Sequence, residues 1–387
     1  MILPSGQPSL QEQANIFDQI EDKLAQGQRL NFDDGMALYQ TTNLFRLGAL
    51  AERMTLSRTG NKAYYSLNRH INYTNICKFN CKFCGFKRWH GEPGEYTHEV
   101  KTVVGFAEQA RNEGATEIHI VGGIHPDLNF DYFLDMLRGI RRACPEVHIK
   151  AFTAVEILDL MKKSKLDIAD CLNTLHEAGL GSLPGGGAEI LDDDYFNQVC
   201  RSKSKPDIWT EIHRTAHGLG LPTNCTMLYG FIETLEQRVR HLLRLRDIQD
   251  QSLAEGKGHF NCYIPLPYLK PSYMYRASEE HTNSSDTIDA MEDLKTIAIS
   301  RLILDNVDYH KAFWPMQGVN LSQVALTFGS NDLDGTVRRY TIVDKDYDNN
   351  TEWLPVEKLH RLIREAGRVP VQRDGYYREI KPATASN

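Results

Sequence analysis

The sequence has no long hydrophobic run and no excess of positive charge. No apolar stretch approaches the roughly 18 residues that a membrane-spanning helix needs. There are 44 Lys and Arg against 51 Asp and Glu, so the net charge is −7, and no Lys- or Arg-rich segment occurs. Proteins that bind nucleic acids neutralise phosphates with clustered cations. We therefore expect neither a membrane span nor a nucleic-acid partner.

The sequence also lacks the marks of a secreted protein. No Lys or Arg precedes Lys23 and no apolar centre follows the start, so we expect no signal peptide and a cytoplasmic location. Cytoplasmic thiols stay reduced, so the eight cysteines are not expected to form a disulfide framework. Five of them are scattered singly, and we predict small buried apolar residues there: Cys144, Cys171, Cys200, Cys225 and Cys262.

What is present is a helical start followed by alternating β-type and helical segments. Residues 8–58 carry apolar side chains near helical spacing. β-type runs then recur at 63–74, 116–123, 147–154, 179–186, 221–230 and 259–266, with helical patterns between them. This alternation predicts parallel βα units, and six in succession predict an α/β fold with a closed or partly closed βα barrel.

Three parts of the chain are expected from these patterns. A helical extension covers 1–58, the barrel core covers 59–306, and a mixed α/β segment at 307–387 packs on the barrel. In βα barrels the active site lies at the C-terminal ends of the strands. The residues expected on that rim are Cys77, Cys81, Cys84, Gly122, Gly123, His125, Asp127, Thr153, Glu156, Glu189 and Tyr229.

Three cysteines follow the first predicted strand with the spacing C-x3-C-x2-C, at Cys77, Cys81 and Cys84. A structural zinc site takes four ligands, and His90 is the nearest candidate for a fourth. Three thiolates on one tight loop instead suit a cubane iron–sulfur cluster with one iron open to a small molecule. A zinc site and inert cysteines remain the alternatives to a cluster.

The cysteine spacing, with Phe83 before the last cysteine, resembles the radical S-adenosylmethionine superfamily. The resemblance implies a partial (β/α)6-type barrel, a [4Fe-4S] cluster held by the three cysteines, and S-adenosylmethionine bound through its methionine moiety at the open iron. Gly122 and Gly123 resemble the glycine pair of that superfamily, whose backbone approaches the methionine amino group.

Several longer stretches are similar to the aminofutalosine synthase family within that superfamily. They are GGIHPDLNFDYFLDMLRGIRRACPEVHIKAFTAVEI, LPGGGAEI, HRTAHGLGLPTNCTMLYG and FGSNDLDGT, and the resemblance covers roughly 60–340. The dehypoxanthine futalosine cyclase and the deazaflavin-cofactor synthase share part of this pattern and are the alternatives. Gly85-Phe86 and the segment 267–286 depart from the family pattern, and the second departure bears on the substrate.

The resemblance implies a reaction in menaquinone biosynthesis by the futalosine pathway. The 5′-deoxyadenosyl radical adds to the vinyl carbon of 3-[(1-carboxyvinyl)oxy]benzoate, and 6-amino-6-deoxyfutalosine forms with loss of the carboxyl carbon. S-adenosylmethionine is then a consumed substrate, and the enzyme is a transferase. An electron donor such as flavodoxin or ferredoxin is implied, and a homodimer is left open.

The cofactor-binding residues implied by the resemblance are Phe83, Gly122, Gly123, Thr153, Glu189 and Arg214. Glu189 and Arg214 resemble the acid and the arginine that hold the methionine ammonium and carboxylate groups. Their ordinary alternatives are a helix N-terminal acid for Glu189 and a surface helix charge for Arg214.

An acceptor with two carboxylates needs polar groups inside an acidic protein. Strand alternation places His70, rather than Arg69, on the polar face of the first strand. The same reasoning turns Lys150 away from the site. The remaining candidates are His125 as a donor or acid, Asp127 and Glu156 as substrate contacts or helix caps, and Tyr229 as a stacking ring or an ordinary rim aromatic.

Overall fold

The computed structural model describes residues 10–200, 205–270, 289–337 and 353–380. Its helices are α1 (Leu10–Ala25), α2 (Phe32–Tyr39), α3 (Leu44–Thr59), α4 (Val100–Asn112), α5 (Phe130–Ala143), α6 (Ala154–Ser164), α7 (Ile168–Ala178), α8 (Asp193–Val199), α9 (Pro206–Gly218), α10 (Leu235–Glu255), α11 (Ala290–Ile303), α12 (Trp314–Gln317), α13 (Val319–Ala325) and α14 (Val356–Glu365). Its strands are β1 (Lys62–Ser66), β2 (Asn68–Ile71), β3 (Glu117–Ile120), β4 (His148–Ala151), β5 (Thr223–Tyr229), β6 (Phe260–Pro267), β7 (Tyr309–His310), β8 (Asp332–Gly335) and β9 (Val369–Gln372). Among the described helices, none is long and apolar enough to cross a bilayer.

Parallel pairing joins the strands in the order of a βα barrel. Three sheets have the orders β2-β3-β4, β5-β6-β7 and β8-β1-β9. Single parallel bridges at Lys150–Ser182 and Leu183–Thr223 link the first sheet to the second, and one at Lys311–Asp332 links the second to the third. Only Leu67 separates β1 from β2, and β8 pairs with β1. The strand order therefore leads from β2 through the three sheets to β1, which directly precedes β2 in the chain.

The predicted α/β barrel architecture is confirmed, and two further strands join the six predicted units. β7 pairs with β6, and β8 pairs with β1. Both belong to the segment that we expected only to pack on the barrel, and they contribute to its wall. The predicted strand at 179–186 is represented only by the two bridges at Ser182 and Leu183. The boundaries of the three parts stay a prediction.

Alternation along the strands gives the barrel an apolar outside and a polar lumen. In β3, Ile118 and Ile120 are buried in the hydrophobic core, whereas Glu117 and His119 line the interior. In β4, Ile149 and Ala151 join the same core. The apolar face of each strand packs on the surrounding helices, as the period of two requires.

Residues 369–380 cover the N-terminal mouth of the barrel. β9 pairs with β1, with Tyr64 opposite Val371, and the chain then turns so that Arg373 is fully buried. The Arg373 Nε donates to Asp332 Oδ2 at 2.5 Å, and its Nη1 lies 3.6 Å from Glu117 Oε2. Asp332 and Glu117 begin their strands, so this segment lies beneath the barrel.

Candidate active site

A cavity of about 310 Å³ lies inside the barrel, between a loop that carries the three cysteines and the inward side chains of the strands. We call it the central cavity, and residues 75–88 the cysteine loop. Cys77, Cys81 and Cys84 all line the central cavity, as does Phe83. All three cysteines are partly exposed, and within the described residues none of them forms a disulfide. The loop therefore presents its thiols to one enclosed space.

Backbone hydrogen bonds hold the cysteine loop in place. The Cys77 amide donates to Arg88 O at 3.1 Å, and the Cys84 amide donates to Cys81 O at 3.1 Å. The Lys78 amide donates to Ile124 O at 2.9 Å, which ties the loop to the end of β3. These bonds fix the loop against the end of β3 and close its base between Cys77 and Arg88.

Gly123 allows the end of β3 to approach the cysteine loop. A Cβ on Gly123 would lie 2.2 Å from Ile76 O, and its amide donates to Thr74 O at 2.9 Å. Gly122 lines the central cavity, and a Cβ there would meet the Tyr73 ring at 2.7 Å. Of the predicted pair, Gly122 is thus placed at the cavity, and Gly123 supports the loop from behind.

Glu156 caps a helix and also lines the central cavity. Its carboxylate accepts from Thr153 N and Oγ1 as part of the capping box that starts α6. It also accepts from Gly122 N at 3.0 Å and Tyr73 Oη at 2.8 Å, and it lines the central cavity. Burial raises the pKa of Glu156 to about 7, against the effect of these hydrogen bonds.

Thr153 and Glu189 are both brought to the central cavity. Glu189 has a φ of 40°, a left-handed conformation that is unfavourable for a residue with a side chain. Its carbonyl accepts from Leu228 N at 3.0 Å, which anchors this turn to the end of β5. The glycines Gly185, Gly186 and Gly187 line the cavity beside it.

His70 faces the lumen, and Arg69 faces out and forms an ion pair with Glu113, as alternation predicted. The ring centroids of His70 and His119 lie 4.6 Å apart. Burial lowers the pKa of His70 to about 4, so the imidazole is neutral at pH 7.

Besides Gly123, four predicted site residues are not brought to the central cavity. Arg214 lies half exposed on α9 and pairs with Glu255 at 3.2 Å, because the inner face of that helix is occupied by His213 and His217. Tyr229 is buried behind the wall, where its hydroxyl donates to Asp293 Oδ1 at 2.6 Å.

His125 and Asp127 form a local turn instead of reaching the cavity lining. The Asp127 amide donates to His125 Nδ1 at 3.1 Å, and Lys163 Nζ donates to His125 O at 2.6 Å. Asp127 itself is exposed. His125 is therefore a loop histidine whose ring accepts a hydrogen bond from a backbone amide.

A set of charged and polar side chains lies at the inner end of the central cavity. The sequence either did not predict them there or predicted them to face away from the cavity. The set comprises Asn68, Glu117, His119, Lys150, Lys311 and Asp334, which all line the cavity. The expectation that Lys150 turns away is wrong, because Ile149 and Ala151 occupy the outward face of β4. Polar residues at alternate positions of EIHI and HIKA were the signal that could have revealed this set.

Cys200 lies next to the cysteine loop. Its Sγ is 3.1 Å from Cys81 Sγ, and the Lys82 amide donates to Val199 O at 3.2 Å. Cys200 is buried, as predicted for a singly placed cysteine. His90, the candidate fourth zinc ligand, points instead to Glu95 Oε2 at 3.2 Å and is largely exposed.

Two family comparisons match adjoining parts of the chain. Residues 71–245 match the radical SAM superfamily, and residues 257–385 match the CofH/MqnC C-terminal region. The solved structure of a methylornithine synthase is similar in fold, with a TM-score of 0.69, 17% identity, and 91% of this chain and 97% of that chain covered. At that identity the likeness supports the fold alone.

Comparison with curated relatives shows which enzyme family within this superfamily the chain belongs to. Aminodeoxyfutalosine synthase of Thermus thermophilus is 40% identical, over 94% of this chain and 95% of the relative. A 5-amino-6-(D-ribitylamino)uracil–L-tyrosine 4-hydroxyphenyl transferase of Methanothermobacter thermautotrophicus is 35% identical over 86% of this chain and 88% of its own. A cyclic dehypoxanthine futalosine synthase of Halalkalibacterium halodurans is 31% identical over 94% of this chain and 95% of its own. This chain belongs to the radical S-adenosylmethionine enzymes and, among them, to the aminodeoxyfutalosine synthase family.

Proposed function

We propose that this protein joins the adenosyl group of S-adenosylmethionine to 3-[(1-carboxyvinyl)oxy]benzoate. The product is 6-amino-6-deoxyfutalosine, formed with loss of the carboxyl carbon, in the futalosine pathway to menaquinone. The observation that carries the proposal is the 40% identity to an aminodeoxyfutalosine synthase along nearly the whole chain. The relatives with other activities are 35% and 31% identical, which supports this assignment over the cyclase and the deazaflavin-cofactor synthase.

Enzymes of this superfamily use a [4Fe-4S] cluster, and Cys77, Cys81 and Cys84 are the residues that would hold it. Across the described residues, no three His, Cys, Asp or Glu side chains are arranged to hold one metal ion. Ligands of a single zinc ion converge on one point, whereas each thiolate on a cubane binds a different iron. Three separate thiols that line one cavity fit the cluster. When bound and reduced, the cluster would supply the electron that cleaves S-adenosylmethionine.

The chain's own residues bind and enclose the substrates. Phe83, Gly122, Thr153 and Glu189 line the cavity with the cysteines, and we assign them to S-adenosylmethionine, with Glu189 facing the methionine ammonium. Glu156 positions these binding residues, because its carboxylate holds both the Gly122 amide and the first turn of α6. His70 belongs to the acceptor end.

The wall between these two ends is apolar. It is formed by Leu228, Ile264, Leu266, Tyr268, Phe313 and Met316. A dry enclosure is needed because a reactive adenosyl species is otherwise lost to side reactions. Of the segment 267–286, which we expected to bear on the substrate, residues 271–286 lie outside the described residues.

Several finer assignments stay predictions. A flavodoxin or ferredoxin as electron donor rests on the sequence resemblance alone, and a homodimer is left open. A cytoplasmic location rests on the composition of the N-terminal residues. Gly123, Arg214, His125, Asp127 and Tyr229 are left out of the proposed binding set because they do not line the central cavity.

An anaerobic assay tests the proposed function. Protein with reconstituted iron and sulfide is mixed with a reductant, S-adenosylmethionine and the enolpyruvyl benzoate, and the products are read by mass spectrometry. We expect an adenosyl adduct lacking the carboxyl carbon, with one methionine per adduct. Free 5′-deoxyadenosine beside unchanged benzoate would reject the acceptor, and no cleavage with iron bound would reject the radical chemistry.

Paired cysteine variants test the ligand assignment in the same assay. Cys81→Ala is expected to lose most of its bound iron and its product. Cys200→Ala, which changes the thiol 3.1 Å away, is expected to keep both because it is not among the three ligands. Iron and sulfide content per chain is the first readout, and equal iron loss in the two variants would contradict the assignment.

A further inference from the structure

The inner end of the central cavity carries buried cations. Of the described residues that line the cavity, Lys150 and Lys311 are the only Lys or Arg side chains. Both side chains are almost completely buried, with 3% and 4% of their area exposed. An anion that enters the cavity therefore has these two ammonium groups as its available charged partners.

The two lysines differ in how fully their charge is balanced. Lys311 Nζ lies 3.2 Å from Asp332 Oδ1 and is also in close contact with Asp334. Although burial alone would lower it, these two carboxylates raise the pKa of Lys311. Lys311 is therefore held in its charged form by two carboxylates, of which Asp332 also pairs with Arg373.

Lys150 is balanced by a single carboxylate that has a second cation beside it. Its Nζ lies 3.0 Å from Glu117 Oε2, and Arg373 Nη1 lies 3.6 Å from the same oxygen. Burial lowers the pKa of Lys150 despite Glu117. An additional carboxylate here would favour the charged form of Lys150, against the effect of burial.

His119 supplies a second donor next to Lys150. The two residues are directly opposite each other in the β3–β4 register and both line the cavity. Side chains at such paired positions lie about 5 Å apart. No described residue makes a hydrogen bond to His119 Nε2. Burial lowers the pKa of His119 well below its usual range, so the ring is neutral and has one N–H to donate.

We propose that Lys150 and His119 bind the ring carboxylate of the aryl acceptor. This inference rests on the proposed function and assigns the orientation of the acceptor within the central cavity. The carboxylate that is lost belongs to the enolpyruvyl end, which must lie near the cysteine loop because the adenosyl carbon joins it there. The ring carboxylate then lies at the opposite, inner end, and the aryl ring packs on Leu228, Ile264 and Phe313.

Comparison of the acceptor with its ring carboxamide tests this contact. The amide has the same shape but no charge, and charge-assisted hydrogen bonds exceed neutral ones by about 10- to 100-fold in affinity. We expect the protein to prefer the acid by that factor, and Lys150→Met to bind both compounds within about threefold of each other. Binding is measured by calorimetry on cluster-loaded, unreduced protein with S-adenosylmethionine present.

Control variants separate a local effect from a folding defect. Lys150→Met/Glu117→Gln removes both members of the ion pair, so that no carboxylate is left facing a missing cation, and it is expected to lose the preference as well. Lys295→Met removes a part-buried lysine that donates to Tyr39 O outside the cavity, and it is expected to keep the preference. Affinity for S-adenosylmethionine is expected to stay unchanged in all three variants.

The outcomes distinguish this inference from the proposed function. If Lys150→Met and the double variant still prefer the acid as the unchanged protein does, the ring carboxylate lies elsewhere and the inference is overturned. If the unchanged protein binds S-adenosylmethionine but neither acceptor, the proposed function fails and the inference fails with it.

Discussion

Gly123 is the residue at which the barrel and the cysteine loop come closest together. Its missing side chain leaves room for the Ile76 carbonyl, whose oxygen would be 2.2 Å from a Cβ. The contact is with backbone, so no rotation of a flexible side chain can relieve it. A glycine at this position therefore helps to place the thiols, and it does not itself contact the substrate.

Substitution of this glycine tests that role. We expect Gly123→Ala to push the cysteine loop away from β3 and to bind well under half of the iron that the unchanged protein binds after reconstitution, at a cost of about 1–3 kcal/mol in folding free energy. Gly105→Ala is the control, because a Cβ there meets nothing within 4 Å and α4 tolerates alanine. Full iron content in Gly123→Ala would contradict the role.

At the scale of elements, the turn after β9 joins the end of the chain to the start of the barrel. Arg373 is fully buried and contacts Asp332, Glu117 and the Tyr377 ring, whose centroid is 3.8 Å from the guanidinium carbon. Tyr377 in turn lies 5.5 Å below Lys150 Nζ. The turn thus supports the charged inner end of the cavity from beneath.

Two arginines of this turn give a matched comparison. Removal of one partner from a buried ion pair costs about 3–5 kcal/mol, whereas an exposed pair contributes under about 1 kcal/mol. We expect Arg373→Met to lower the free energy of unfolding by the larger amount, and Arg378→Met, which breaks an exposed pair with Asp374, by the smaller. Urea denaturation at pH 7 measures both, and equal losses would argue against the turn as a structural support.

At the scale of the whole molecule, the interior holds many neutral histidines. Burial lowers the pKa of all of the following: His70, His119, His148, His213, His217, His241 and His310. For His148 the value is about 4. Below pH ~6.5 the unfolded chain binds protons that the folded chain does not, so stability falls as the pH falls.

Acid sensitivity is the measurable consequence. We expect the free energy of unfolding to fall steeply from pH 6.5 towards pH 4, with His148→Gln reducing the slope by up to about 1.4 kcal/mol per pH unit. Glu156 and Asp293 oppose this trend, since burial raises their pKa values to about 7 and about 6 and each adds stability as the pH falls through its raised pKa. They are two groups against seven. His90→Asn, at an exposed position, is the control that should leave the slope unchanged, and a flat profile between pH 6.5 and 5 would contradict the prediction.

The sequence by itself determined the succession of βα units, the cysteine loop and the glycines behind it. Those features are local: strand and helix periods, a three-cysteine spacing, and residues at strand ends such as Thr153 and Glu156. Alternation within one strand also sufficed to choose His70 over Arg69. Each of these depends on neighbours within a few residues, which a sequence contains directly.

Only the tertiary structure decided which polar residues meet. Arg214 lies on the outer face of α9 because His213 and His217 occupy the inner one. Lys311, Asp334 and Arg373 join Glu117 from some 200 residues away along the chain, through β7, β8 and the turn after β9. Helix phase and strand pairing are set by packing between distant segments, and no local pattern specifies them.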